Sequence, residues 1–356
     1  MTAFPAIVAI GHHYPERILT NAELAVRFGK SEQWILERSG IVARRVATTE
    51  STSDLIEPAA RTCLRSAGRD ARDLDAVLVA TVTPDHAFPS TAALIQHRVG
   101  ATRAWAMDIG ASSAGFVFAL AQARALILSG QAGSVLVCGA DRMTGIVDPE
   151  DAATAILFGD GAGVVLVEDA GSPEFGVLDV ILCANGSGAR DLWLPAGGSR
   201  NPATADTVSR RQHFLVQDGS AIFKAAVSMM SDVAVGLMYR NRLSAADIDW
   251  LVPHQANQRI MDSVASHLSV DRSRVMSNIS EVGNTWGGSI PGCLGASHEA
   301  GRIRKGIGSC SRALVQAMSL AAHTCAGCCD GLPQHLQPQI LNSPGGPYRS
   351  SRLRQS

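Results

Sequence analysis

Residues 107–120, MDIGASSAGFVFAL, run from an apolar strand-like stretch through a turn of small residues into an apolar helix-like stretch. Two adjacent serines, Ser112 and Ser113, sit in that turn. Either one is a nucleophile presented at a strand-to-helix junction, or both are simply small enough to fit there. What surrounds the stretch decides the fold. AVLVATV (76–82), AWAMDIG (104–110), SVLVCGA (134–140) and GAGVVLV (161–167) alternate with alanine- and leucine-rich helical segments. That alternation predicts an α/β architecture with buried, largely parallel strands.

The two halves of the chain echo each other. DLDAVLVATVTPDH begins at Asp73 and DIDWLVPHQAN at Asp247, an offset of 247 − 73 = 174 residues. HRVGATRAWAMDI begins at His97 and HLSVDRSRVMSNI at His267, an offset of 267 − 97 = 170. Each of the second pair reads as a helix end, a polar turn and a strand. A duplicated core is the simplest account, and ligands of such folds bind at the carboxyl edges of the strands. The strand ends of interest are Asp108–Ser113, Pro253–Asn257 and Asn278–Asn284.

Three side-chain types suited to acyl chemistry lie at those ends. Ser112 and Ser113 precede a helix whose N-terminal N–H groups favour a developing anion. His254 follows a strand in VPHQANQRI (252–260), and Asn284 lies in the glycine-rich EVGNTWGGSIP (281–291). A neutral imidazole and a carboxamide together can hold a carbonyl oxygen as it becomes enolate-like.

Composition narrows the function classes. The chain has 356 residues, 46% hydrophobic and 18% charged, with a formal net charge of −1. It exerts no global pull on nucleic acid, and aromatics at 5% offer few stacking platforms. The N-terminus reads as neither signal peptide nor membrane anchor, and no membrane span is expected, which implies a cytosolic protein. Of eight cysteines, Cys63, Cys138, Cys183 and Cys293 lie in apolar segments, as small hydrophobes do. Cys325 and Cys328 have a Cys-x2-Cys spacing with no second pair, so bystander thiols are expected rather than a zinc site.

At these residues the chain resembles the β-ketoacyl-acyl-carrier-protein synthase III family, of thiolase fold. GIVARR (40–45), TPDHAFPS (83–90), FGDGAG (158–163), VPHQANQRI and GNTWGGSIP fit its pattern, and the match runs from Ile7 to Lys305. The resemblance implies two duplicated βα halves in an α/β/α/β/α core: residues 1–170 with the nucleophile, 171–316 with the histidine and asparagine, and an atypical tail, 317–356. It also implies a homodimer, coenzyme A thioesters as substrates with no cofactor or metal, and an acyl carrier protein as partner.

The family's reaction passes an acyl group from coenzyme A to a cysteine. A decarboxylated malonyl carrier-protein thioester then attacks it. Alignment on DIGASSAGF puts Ser113 at the cysteine position, with Ser112 the nucleophile if the register slips by one. His254 and Asn284 match the other two catalytic positions. Trp34 and Arg38 resemble the residues that contact the coenzyme A adenine. Gly219 and Phe223 fall where the pantetheine tunnel is lined, and Arg259 lies near its mouth. Phe88 belongs to a segment that reaches across the dimer toward the acyl pocket. A short neutral acyl group is the expected substrate, Arg142 being the cation nearest the relevant region.

Serine changes the expectation. Its hydroxyl stays protonated near neutral pH and needs an adjacent base, for which His254 is the candidate. An acyl-serine is also a poorer donor to a carbanion than a thioester. A starter-loading acyltransferase is the leading reading. The alternatives are a non-condensing acyltransferase, a malonyl-thioester decarboxylase and an inactive acyl-thioester-binding homologue.

After Lys305 the chain departs from the family, which continues with an apolar strand and a glycine-rich turn. No such strand is expected in IGSCSRALVQAMSLAAHTCAGCC (307–329). Codons exist for this stretch whose one-base-shifted reading spells an apolar strand and a glycine-rich turn, so a shifted frame is one account of the tail.

Overall fold

Valine-rich strands buried on both faces organise the molecule. The computed structural model describes residues 3–172 and 176–303, together with the backbone of 313–316 and 319–320. In chain order its strands are β1 (Pro5–His13), β2 (Ile18–Thr20), β3 (Ala43–Arg45), β4 (Ala76–Ala80), β5 (Trp105–Ile109), β6 (Ser134–Arg142), β7 (Asp160–Asp169), β8 (Ala184–Asn185), β9 (Leu192–Trp193), β10 (Val216–Gln217), β11 (Trp250–Pro253), β12 (Ala313–Gln316) and β13 (Ser319–Leu320). The helices are α1 (Asn21–Phe28), α2 (Glu32–Ser39), α3 (Thr52–Ala67), α4 (Thr91–Val99), α5 (Gly115–Leu128), α6 (Ala152–Ala155), α7 (Ala205–Ser209), α8 (Gly219–Arg240), α9 (Gln258–His267), α10 (Ile279–Val282) and α11 (Ser289–Glu299).

Five strands form the main sheet in the order β1-β7-β6-β4-β5. All four strand-like runs of the sequence lie in it. The expectation of largely parallel strands needs correction. β4 pairs parallel with β5 and β6, but β6–β7 and β1–β7 are antiparallel. The reason is the connection from β6 to β7, which contains one four-residue helix and no crossover helix, so the chain returns in the opposite sense. β1 escaped the sequence reading altogether, its alternation being broken by a register shift between Ile7 and Ala9.

The core is layered. On one face of the sheet, Leu55, Ile56, Ala60 and Ile95 from α3 and α4 pack on Val77, Val79, Leu136 and Val164. On the other, Phe116 and Leu120 of α5 and Ile290 and Leu294 of α11 pack on Leu78, Val135, Val137 and Val165. β11 closes this second helical layer with Val252 and turns Leu251 toward Met230 of α8 and Ile260 and Val264 of α9. The result is the α/β/α/β/α order. α8 is long and apolar enough by length and composition to cross a bilayer, yet it packs Ala226, Met230 and Ala234 into this cluster.

The internal echo is visible in place. Each Asp-x-Asp element is a 3-10 turn leading into a strand, Ala71–Asp73 before β4 and Ala245–Asp247 before β11. α4 leads to β5, parallel to β4. α9 leads to Val275, which forms an isolated parallel bridge with Leu251 in place of the expected full strand.

The tail also needs correction. Residues 313–316, in the stretch expected to lack a strand, form β12, parallel to β11 in the register Trp250↔Ala313 to Pro253↔Gln316. β13 follows, parallel to β8. A short parallel strand lacks the length to declare itself and forms because β11 offers it an open edge. Cys310, the cysteines of HTCAGCC and the rest of 321–356 lie outside the described residues.

Candidate active site

The carboxyl ends of β5, β6 and β11 point toward one region, and four loops meet there. The first is the 3-10 turn Ser112–Ala114 at the end of β5. Ser112 adopts φ +53°, a left-handed conformation uncommon outside glycine. Ser113 is 4% exposed and stands immediately before α5. α5 has no side-chain cap, and neither has α11, which also starts here. By contrast α1, α2, α3, α4, α8 and α9 are all capped by side chains. The first N–H of α5 and of α11 is bonded within the preceding 3-10 turn instead, Gly115 to Ser112 O and Ser289 to Trp286 O.

The second loop begins at His254, directly after β11. Its imidazole is buried, with Nδ1 lacking any hydrogen-bond partner. Burial lowers its pKa from 6.5 to about 4, so the ring is neutral at pH 7. Its backbone is held rigidly by the next residue. The Gln255 N–H donates to Ser289 Oγ at 2.8 Å, and the Gln255 amide exchanges bonds with Asn278, donating to Oδ1 at 3.0 Å and accepting from N–H at 2.8 Å. Asn278 in turn donates to the Tyr14 hydroxyl at 2.8 Å. Every polar group behind His254 is satisfied, while the imidazole itself is not.

The third loop carries Asn284. Its backbone is pinned on both sides. The Asn284 N–H donates to Leu157 O at 2.9 Å, and Gly159 N–H donates to Asn284 O at 3.0 Å. The buried Arg44 guanidinium donates to Ile156 O and to Asn21 Oδ1, bracing the same 156–159 segment; burial lowers its pKa to about 10. The Asn284 Oδ1 accepts the Trp286 N–H at 2.9 Å, which leaves the amide NH2 as its donor end. The following turn, Trp286–Gly288, touches the Ser112–Ala114 turn. The Trp286 ring meets His254 edge-on at 6.4 Å between centroids.

The fourth element is a buried carboxylate. Asp141, at the end of β6, accepts from Thr81 Oγ1, Val82 N–H, Thr83 N–H and Thr83 Oγ1 on Oδ1, and from Gly287 N–H on Oδ2, at 2.8–3.1 Å. Desolvation still outweighs these bonds and raises its pKa to about 6. Asp141 thereby ties the ends of β4 and β6 to the Trp286–Gly288 turn. Close approach is required here. A Cβ at Gly139 would lie 2.2 Å from Gly287 O, and one at Gly287 would lie 2.8 Å from Asp141 Oδ2.

The residues expected to form an entrance fall into one neighbourhood. Arg38 lies over the Trp34 ring at 4.5 Å, with Lys30 5.5 Å from the same ring. Arg259 lies over Phe223 at 5.5 Å. The Asn257 side chain caps α9 and donates to Arg38 O at 2.9 Å, which joins the two groups. Gly219 opens α8, where an added Cβ would meet nothing within 4 Å. Phe88 stands apart, 86% exposed on the β4–α4 loop. Arg142 sends one nitrogen to Thr48 O at 3.1 Å, while its buried Nε has no partner.

Sequence reasoning missed Asp141, Gln255, Arg44 and the role of Trp286. Only Trp286 left a signal, a large aromatic set between Asn-Thr and Gly-Gly. Cys63, Cys138 and Cys293 are buried with thiol pKa values raised by desolvation, and no cluster able to hold a metal ion occurs among the described residues.

Comparison with known proteins agrees with this architecture. Residues 107–186 match the 3-oxoacyl-[acyl-carrier-protein] synthase III family, and residues 238–311 match its C-terminal counterpart. The chain is 45% identical over 304 residues to a β-ketoacyl-[acyl-carrier-protein] synthase III of Chlorobium chlorochromatii, covering 85% of this chain and 92% of that one. Among solved structures, 3-oxoacyl-(acyl carrier protein) synthase III of Pseudomonas aeruginosa superposes with a TM-score of 0.78 at 36% identity, over 85% and 91% of the two chains. The priming β-ketosynthase of the R1128 polyketide pathway gives a TM-score of 0.78 at 31% identity, over 85% and 90%. The chain belongs to the 3-oxoacyl-[acyl-carrier-protein] synthase III family and has its thiolase-like fold.

Proposed function

We propose that this protein loads a short acyl starter from coenzyme A onto Ser113 and passes it to a malonyl carrier-protein-derived or other acceptor in fatty-acid or polyketide synthesis. The observation that carries the reading is the meeting of the Ser113 turn with the turn that Asn284 holds, against a buried, neutral and incompletely bonded His254. A neutral imidazole can take the Ser113 proton as Oγ attacks the thioester carbonyl. The positive N-terminal end of α5 favours the resulting oxyanion. Collapse breaks the C–S bond, and the thiolate leaves with the proton that His254 had taken.

In the second half-reaction, Asn284 NH2 and His254 hold the thioester oxygen of a malonyl group as carbon dioxide departs. The enolate carbon then attacks the acyl carbonyl, a C–C bond forms as the ester C–O bond breaks, and the departing Ser113 oxygen takes a proton from water. The ester acceptor makes this half the slower one.

Trp34, Arg38, Phe223 and Arg259 suit the adenine, the phosphates and the entrance of a coenzyme A channel, and Arg259 suits an acidic carrier protein. The dimer expectation also finds support. β5 is an edge strand with Trp105 and Met107 each about 40% exposed, and Phe88 projects beside it. A second copy pairing at β5 would cover all three.

Intact mass after incubation with acyl-coenzyme A thioesters tests the reading. The parent gains the acyl mass and Ser113→Ala does not. Equal gain on both, or acyl turnover unchanged in Ser113→Ala, overturns the assignment of Ser113.

A further inference from the structure

Trp286 combines two unfavourable features in one buried residue. Its φ of +51° places a bulky side chain in the left-handed region, a strained conformation that glycine would adopt freely. Its ring is 94% buried, and its indole N–H is buried without a partner. The other left-handed non-glycine residues apart from Ser112 (Arg211, Arg242 and Ser269) are exposed loop residues, where strain of this kind is easily relieved. Backbone conformation alone would favour glycine at 286. Strain retained at a buried aromatic beside reacting groups is evidence of function.

The position of the ring indicates which function. One edge meets His254 at 6.4 Å, and its face leans on Phe158 at 5.7 Å. Beyond it lies an apolar cluster of Met143, Val147, Ala155, Phe158 and Leu215. A reacting carbonyl carbon must sit within about 3 Å of the nucleophile and its base. Coenzyme A approaches from the Trp34–Arg259 side. The acyl chain must therefore extend away from that entrance, and the apolar space nearest His254 already contains the indole.

Resting on the acyl-transfer reading above, we infer that Trp286 determines acyl-chain length: its indole fills the acyl end of the site and restricts the enzyme to starters of about two or three carbons. Removing the ring opens the Phe158–Leu215 cluster to longer chains, each further buried methylene adding about fourfold in affinity, the equivalent of roughly 0.8 kcal/mol.

Binding of S-ethyl, S-butyl and S-hexyl coenzyme A thioethers, measured by calorimetry, tests this without requiring turnover. The parent binds the ethyl thioether at least about tenfold more tightly than the hexyl. Trp286→Gly, which also relieves the left-handed strain, reverses that order, and Trp286→Phe falls between the two. Equal affinity for ethyl and hexyl in the parent, or an unchanged order in both variants, overturns the inference while leaving the coenzyme A reading intact. Failure of every thioether to bind either the parent or the variants overturns the coenzyme A reading and this inference with it.

Discussion

The Asp141 cradle and the His254 pocket lie on either side of one turn, and they treat a buried titratable group in opposite ways. Both side chains are almost completely removed from water. Asp141 receives five hydrogen bonds from the loop that follows β4 and from Gly287, whereas the His254 Nδ1 has no partner. The pKa of each moves toward its neutral form, to about 6 and about 4 respectively. A buried polar group with every partner in place is scaffold. One that keeps a bare nitrogen in a rigid surround is kept for a ligand or a reacting atom. Gly287 donates to Asp141, and Trp286 packs on His254, so the scaffold sets where the reactive side stands.

Exchanging the two losses breaks the comparison most sharply. His254→Ala should lower acyl transfer by roughly 10²–10⁴-fold, while urea unfolding shows stability unchanged or slightly higher. Asp141→Ala should do the opposite first, losing roughly 3–5 kcal/mol of stability because five donors are stranded. If His254→Ala proved the more destabilising of the two, the division into scaffold and reactive group would fail.

Stability against pH sharpens the same contrast. The folded-state pKa of His254 is depressed, so the unfolded chain binds the proton more readily. Its contribution is intact above pH 6.5 and is lost as pH falls toward 4, by roughly 3 kcal/mol. Asp141 has a raised folded-state pKa. Its contribution is fully present below the ordinary carboxylate pKa and is lost as pH rises through about 6. Over pH 4–6 the two trends oppose each other, so chemical denaturation across pH 4–7 should show the His254→Gln variant losing stability as pH rises more steeply than the parent does, because only the Asp141 trend is left.

Gly287→Ala is the next smaller test. The added methyl would lie 2.8 Å from Asp141 Oδ2 and 3.0 Å from Ala80 O. It should cost about 1–3 kcal/mol of stability, and activity should fall as well because the turn carrying Trp286 must shift. Smallest is Trp34→Ala, in the proposed coenzyme A entrance. It should raise the Kd for coenzyme A by about tenfold, with unfolding unchanged within roughly 0.5 kcal/mol.

Much of this was legible because it is local. The valine-rich runs declare β4, β6 and β7, for strands buried on both faces have no polar alternation to obscure them, and β5 was legible from the apolar run AWAMDIG. The serine turn, His254 and Asn284 were recognisable because each closes a strand or turn within a motif of a few residues. Asp141 was not, since its partners Thr81, Thr83 and Gly287 are 58–146 positions away. Nor was β12, whose four residues become a strand only against β11. The antiparallel return of β7 was hidden for a similar reason. Strand propensity has no direction, and the direction is set by what the connecting segment packs against.

By itself, then, the sequence determined the four central strands β4 to β7, that the halves repeat, and which three side chains stand in turns suited to acyl chemistry. These follow from side-chain pattern and short motifs, where the interacting residues are neighbours along the chain. Tertiary structure alone decided that Asp141 is scaffold, that His254 is bare and neutral, and that Trp286 stands strained between His254 and Phe158. Desolvation and hydrogen-bond satisfaction are properties of a surrounding assembled from distant segments, and they come into existence only when those segments pack.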